Sequence, residues 1–84
     1  MTSVEVKLFV REDCPGCEAA AMACDGVVNL SVYDLGDLDG LAAASTHAIH
    51  AAPSVVVIDS NGREVAGWRG EAPDAADLRA VLAN

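Results

Sequence analysis

Polar and apolar positions change period several times along this chain. From Val4 to Val10 they alternate, with Val4, Val6, Leu8 and Val10 on one face and Glu5, Lys7 and Phe9 on the other, which predicts a strand. The polar segment Arg11-Glu12-Asp13-Cys14-Pro15-Gly16 ends it. Cys17 to Cys24 is alanine-rich and predicts a helix, with Pro15 expected in its first turn and Gly26 as the residue that terminates it. A second strand is predicted over Val27 to Leu35, a turn over Gly36 to Gly40, and a weak helix from Leu41 to about His47. Beyond Ala51-Ala52-Pro53 lies the β-branched run Val55-Val56-Val57-Ile58, as expected of a strand covered on both faces. Asp59-Ser60-Asn61-Gly62 carries an Asn-Gly hairpin signal, Arg63 to Trp68 reads as the return strand, and Gly70 ends it. Pro73, Asp74 and Asp77 open a final helix whose apolar stripe is Leu78, Val81 and Leu82. The predicted order is β-α-β-α-β-β-α, an α/β fold.

With 84 residues the chain has room for one small domain, expected to span positions 1–84. Hydrophobic residues make up 52% of it, which argues against a disordered tail. Thirteen acidic residues against five basic ones give a net charge of -8. Phosphate backbones and anionic bilayers both select clustered Lys and Arg, so nucleic acid and membrane surfaces are excluded as principal partners. No stretch approaches the ~20 apolar residues of a membrane span. The start, MTSVEVKLFV, lacks the basic and apolar regions of a secretory signal, so a cytoplasmic location is expected. Size and a mixed polar surface point to a monomer.

Three cysteines is an odd count that does not suit a secreted disulfide framework. Two of them form Cys14-Pro15-Gly16-Cys17, and in a reducing compartment such a pair is typically catalytic or metal-binding. The reacting species is the thiolate, which a helix N-terminus stabilises. Cys14, at the strand end, is expected to be the exposed nucleophile and Cys17, in the first turn, the resolving thiol. Glu12, Asp13 and Glu18 oppose the thiolate while only Arg11 favours it. A less stabilised thiolate disfavours the reduced form, so a reductant is expected rather than a strong oxidant. A metal-binding module using Cys14, Cys17 and His50 is the reading from another class, since His47 and His50 form an HxxH. Cys24 is expected in the core, Trp68 as a cap on the sheet edge, His47 and His50 as polar residues at a helix end, and Arg69 and Glu71 in solvent.

These residues together resemble the thioredoxin-fold superfamily, specifically its small thioredoxin-like and glutaredoxin-like members. Val6-Lys7-Leu8-Phe9-Val10-Arg11-Glu12-Asp13-Cys14-Pro15-Gly16-Cys17 is similar to the glutaredoxin start: strand, basic residue, then CPxC. Pro53 opening a hydrophobic strand, Asn61-Gly62-Arg63-Glu64-Val65 and Gly70 look more like thioredoxin. The resemblance covers nearly the whole chain and lacks only an extra N-terminal strand and helix. It implies a minimal four-stranded mixed sheet with helices on both faces, and thiol–disulfide oxidoreductase activity on protein disulfides without an organic cofactor. Electrons would come from a thioredoxin-reductase-like partner or from glutathione, the latter as in a glutaredoxin-like reductase. It further implies a cis Pro53 beside the sulfurs, with Ala52 offering its main chain to substrate. Arg11, Pro15, Gly16, Ala52 and Pro53 are thus the expected substrate-binding residues. The sequence departs from the family at Asp13, where thioredoxins have tryptophan, at Pro15-Gly16, where they have Gly-Pro, and at Leu8, where they bury an aspartate. Gly16 also replaces a tyrosine common in glutaredoxins.

Overall fold

The computed structural model describes residues 4–83. The elements run β1 (Glu5–Val10), α1 (Cys17–Ala23), β2 (Leu30–Asp34), α2 (Leu38–Thr46), β3 (Ser54–Ile58), β4 (Glu64–Arg69) and α3 (Ala75–Leu82). The four strands form one sheet in the order β2-β1-β3-β4. β1 pairs parallel with β2, while β3 pairs antiparallel with both β1 and β4. All five residues of β3 are buried, as its unbroken β-branched run requires of a central strand.

The alternation in β1 divides the core. Val6 and Leu8 join Val55, Val57, Ala20, Cys24 and Leu78 between the sheet and helices α1 and α3. Phe9 turns to the opposite face, where Val56, Ile58, Ala44 and Ile49 pack beside α2. Helices therefore cover both faces. Cys24 is fully buried and has no disulfide partner, and burial pushes its thiol pKa up. Trp68 lies on the edge strand β4, packed against the first cluster beside Val55.

Several boundaries differ from the sequence pattern. β2 begins at Leu30, not Val27, because residues 27–29 are spent in the connection from α1. The predicted turn over Gly36–Gly40 is shorter, since α2 starts at Leu38 and contains Gly40. Pro15 precedes α1, whose N-cap is Gly16. The hairpin is a three-residue loop: Gly62 N–H donates to the Asp59 carbonyl (3.0 Å), Asp59 N–H to the Arg63 carbonyl (2.8 Å), and Gly62 takes φ 83°. Asp59 Oδ1 accepts from the Asn61 and Arg63 N–H groups, both at 2.9 Å, which fixes the turn. Asp74 caps α3 by accepting from Ala76 N–H at 2.9 Å.

The end of α2 is closed by backbone alone. Ile49 N–H reaches the Ala44 carbonyl at 2.8 Å and Ala48 N–H the Ser45 carbonyl at 3.3 Å, the two bonds of a Schellman motif. Ala48 occupies the left-handed position at φ 55°, a place that glycine usually fills. Ile49 then folds back into the core beside Ala44.

Candidate active site

Cys14 and Cys17 are joined by a disulfide, with Cα atoms 5.4 Å apart, at the junction of β1 and α1. Both are half-buried in the oxidised pair. Asp13 holds the approach in a left-handed backbone (φ 54°), a conformation aspartate tolerates better than most residues. Cys17 N–H donates to the Cys14 carbonyl at 3.1 Å and Ala20 N–H to the Gly16 carbonyl at 3.0 Å, closing the loop onto the first turn of α1.

Pro53 reaches this loop from the other side of the sheet register. β1 and β3 pair with Phe9 opposite Ser54, which brings the segment before β3 to the same end of the sheet as the segment after β1. The Ala52–Pro53 peptide is cis. Pro53 is buried against Gly16 so closely that a Cβ on Gly16 would lie 3.1 Å from the proline Cδ and 3.2 Å from its Cγ. Gly16 carries no side chain there, and the ring of Pro53 packs closely against it.

No family model and no curated protein matches this sequence. Solved structures do. A thioredoxin-2 described as a component of malaria parasite protein secretion machinery superposes with a TM-score of 0.78 at 19% identity, over 98% of this chain and 82% of that one. The reduced Schistosoma mansoni thioredoxin pre-protein gives 0.70 at 20% identity, over 95% and 76% of the respective chains. The Malassezia sympodialis thioredoxin gives 0.66 at 22% identity, over 95% and 72%. The chain has the thioredoxin fold. Within that fold the Cys14–Cys17 disulfide fits a CxxC-type site.

The remaining site residues are placed less uniformly around the sulfurs of this thioredoxin-fold domain. Arg11 is exposed and lines an open groove with Glu12, Asp34, Asp37 and His50, beside the CxxC loop and next to the start of α2. Among the described residues Arg11 has no ion pair, and Pro15 is exposed next to Cys14. His50 shares the groove with Arg11. Among the described residues no three His, Cys, Asp or Glu side chains are grouped so as to hold a metal ion.

His47 lies elsewhere, on the α2 face of the sheet. Its Nε2 is 3.0 Å from Lys7 Nζ, and since an ammonium only donates, Nε2 accepts and the ring is neutral. Burial first, and then the Lys7 charge, hold its pKa below the usual histidine value. Arg69 is not simply solvated. Its guanidinium forks onto Glu64 at 2.6 and 2.9 Å and donates to the His47 carbonyl at 2.7 Å, tying β4 to the end of α2. Gly67 lies beneath this fork, where a Cβ would collide with both partners. The hydrogen bond from Arg69 depresses the Glu64 pKa, and the same bond raises that of Arg69.

One residue of the site is not singled out by the sequence pattern. Ser54 is fully buried; its Oγ donates to the Ala51 carbonyl at 2.7 Å and accepts from Gly70 N–H at 3.1 Å. The available signal was a hydroxyl opening an otherwise apolar strand, directly after the proline.

Proposed function

We propose that this protein is a thiol–disulfide oxidoreductase that reduces protein disulfides by dithiol exchange. The observation that carries the reading is the Cys14–Cys17 disulfide at the head of α1, packed through Gly16 against Pro53. In the reduced protein the Cys14 thiolate attacks one sulfur of a substrate disulfide, forming a mixed disulfide and releasing the other sulfur as a thiolate. Cys17 then attacks the Cys14 sulfur, which frees the second substrate thiolate and restores the Cys14–Cys17 disulfide. Two electrons pass to substrate, and its thiolates take protons from water. Arg11, Pro15, Gly16, Ala52 and Pro53 form the substrate platform, with the Ala52 main chain pairing with an extended peptide. A dithiol partner of the thioredoxin-reductase kind returns the electrons. Glu12, Asp13 and Glu18 keep the thiolate of Cys14 poorly stabilised, so the pair works as a reductant in a reducing, cytoplasmic-type compartment.

The test is a midpoint potential for the pair, titrated in dithiothreitol buffer and read by alkylation mass, alongside reduction of a peptide disulfide. A two-electron couple near ~-270 mV is expected, with activity abolished by Cys14→Ser. A value near ~-200 mV would move the protein to glutathione-coupled chemistry. No reversible couple, with thiols shielded from alkylation until a chelator is added, would overturn the redox reading in favour of a metal site.

A further inference from the structure

We infer that Ser54 is a positioning residue that aims the Ala52 N–H at the backbone of a bound peptide disulfide. The inference rests on the redox reading above and adds to it the group that orients the substrate platform. A hydroxyl has one proton to give, and here it goes to the Ala51 carbonyl, while the oxygen accepts Gly70 N–H. Ser54 is therefore fastened at both ends, with 0% of its surface exposed. The Ala51 carbonyl and the Ala52 N–H belong to the same peptide plane, and in a trans peptide they point to opposite sides. Among the described residues the only cis bond is Ala52–Pro53, so the Ala51–Ala52 peptide is trans. Holding the Ala51 oxygen against the buried hydroxyl turns the Ala52 N–H away from the core. Among the described residues that N–H donates to no protein group, which leaves it free for a ligand acceptor one residue from Pro53. Gly70 N–H is drawn onto the same oxygen, so the end of β4 and the segment before β3 are locked as one unit. Without the hydroxyl the 51–52 peptide plane loses the bond that sets its tilt, and the disulfide chemistry itself is untouched.

Two probes separate these effects: a peptide closed by one disulfide, which offers a backbone to pair with, and bis(2-hydroxyethyl) disulfide, which does not. In Ser54→Ala, kcat/KM for the peptide is expected to fall about tenfold, mostly through KM, as for loss of one well-oriented hydrogen bond. The rate with the small disulfide is expected to stay within about twofold, and the midpoint potential to be unchanged. Ser54→Thr and Ser54→Val repeat the comparison at equal volume, with and without the hydroxyl, and cover the case in which the alanine variant does not fold. Threonine is expected to keep the peptide KM and valine to lose it. Equal losses on both probes, no loss on either, or equal behaviour of threonine and valine would overturn the assignment. Failure of the unaltered protein to reduce either probe would overturn the redox reading instead.

Discussion

Ala48 sits where its own side chain is a disadvantage. The left-handed conformation costs a residue with a Cβ about 1–2 kcal/mol, and glycine gives back about 0.5–1 kcal/mol of that advantage through its freer unfolded chain. Ala48 is exposed, so no packing is lost on removing its methyl. Ala48→Gly is accordingly expected to stabilise the fold by about 0.5–1 kcal/mol, read as a rise in the urea midpoint at unchanged slope. A fall in the midpoint would mean that the closing turn of α2 is not held as described. Gly16 shows the reverse situation at the site. Its φ of -82° is open to any residue, and only the nearness of Pro53 restricts what can stand there.

At the scale of elements, α2 lies so close to β2 that a Cβ on Gly40 would overlap the backbone oxygen of Asp34. A main-chain atom in the sheet cannot swing aside, so Gly40→Ala must push the helix outward. Overpacking of this kind costs about 1–3 kcal/mol, and a thermal melt is expected to show the loss, with β2 and α2 amides exchanging faster than those of β3. An unchanged melting temperature would place α2 further from the strand. This close approach also explains where the sequence pattern was silent. Gly36 to Gly40 reads as a turn ahead of a weak helix from Leu41, whereas tertiary packing extends that helix back to Leu38. β1, β3 and α3 were legible because periodicity and the Asp74 cap report local physics. The CxxC and the proline that meets it were legible from their spacing relative to strands and from family resemblance. Ser54 was not, because the bonds that define its role run to Ala51 and Gly70, and the second is set by the pairing of β3 with β4.

Across the whole molecule, His47 stands where three elements meet: Lys7 from β1, the end of α2, and Arg69 with Glu64 from β4. Burial and Lys7 lower its pKa, while Glu64 and Glu5 oppose them and Arg69 adds to them. A base whose folded pKa is depressed stabilises the fold above its unfolded value of about 6.5 and loses that contribution as pH falls through the folded value. The urea midpoint is therefore expected to drop between pH 7.5 and about 5.5, before Glu64, with its lowered pKa, begins to titrate. In His47→Gln that portion of the slope should vanish; an identical slope in the variant would assign it to other groups. The junction lies on the α2 face, separate from the Gly16–Pro53 contact. The pairing of Phe9 with Ser54 carries a different kind of consequence. Because side chains alternate along a strand, an insertion or deletion of one residue in β1 or β3 would shift their register, turning the buried face of the strand outward and carrying Pro53 away from Gly16. The hairpin loop at Ser60–Gly62 lies at the far end of β3 and bears no such constraint. Length variation among descendants of this chain should therefore gather there, and the two central strands should keep their residue count even where their residues change.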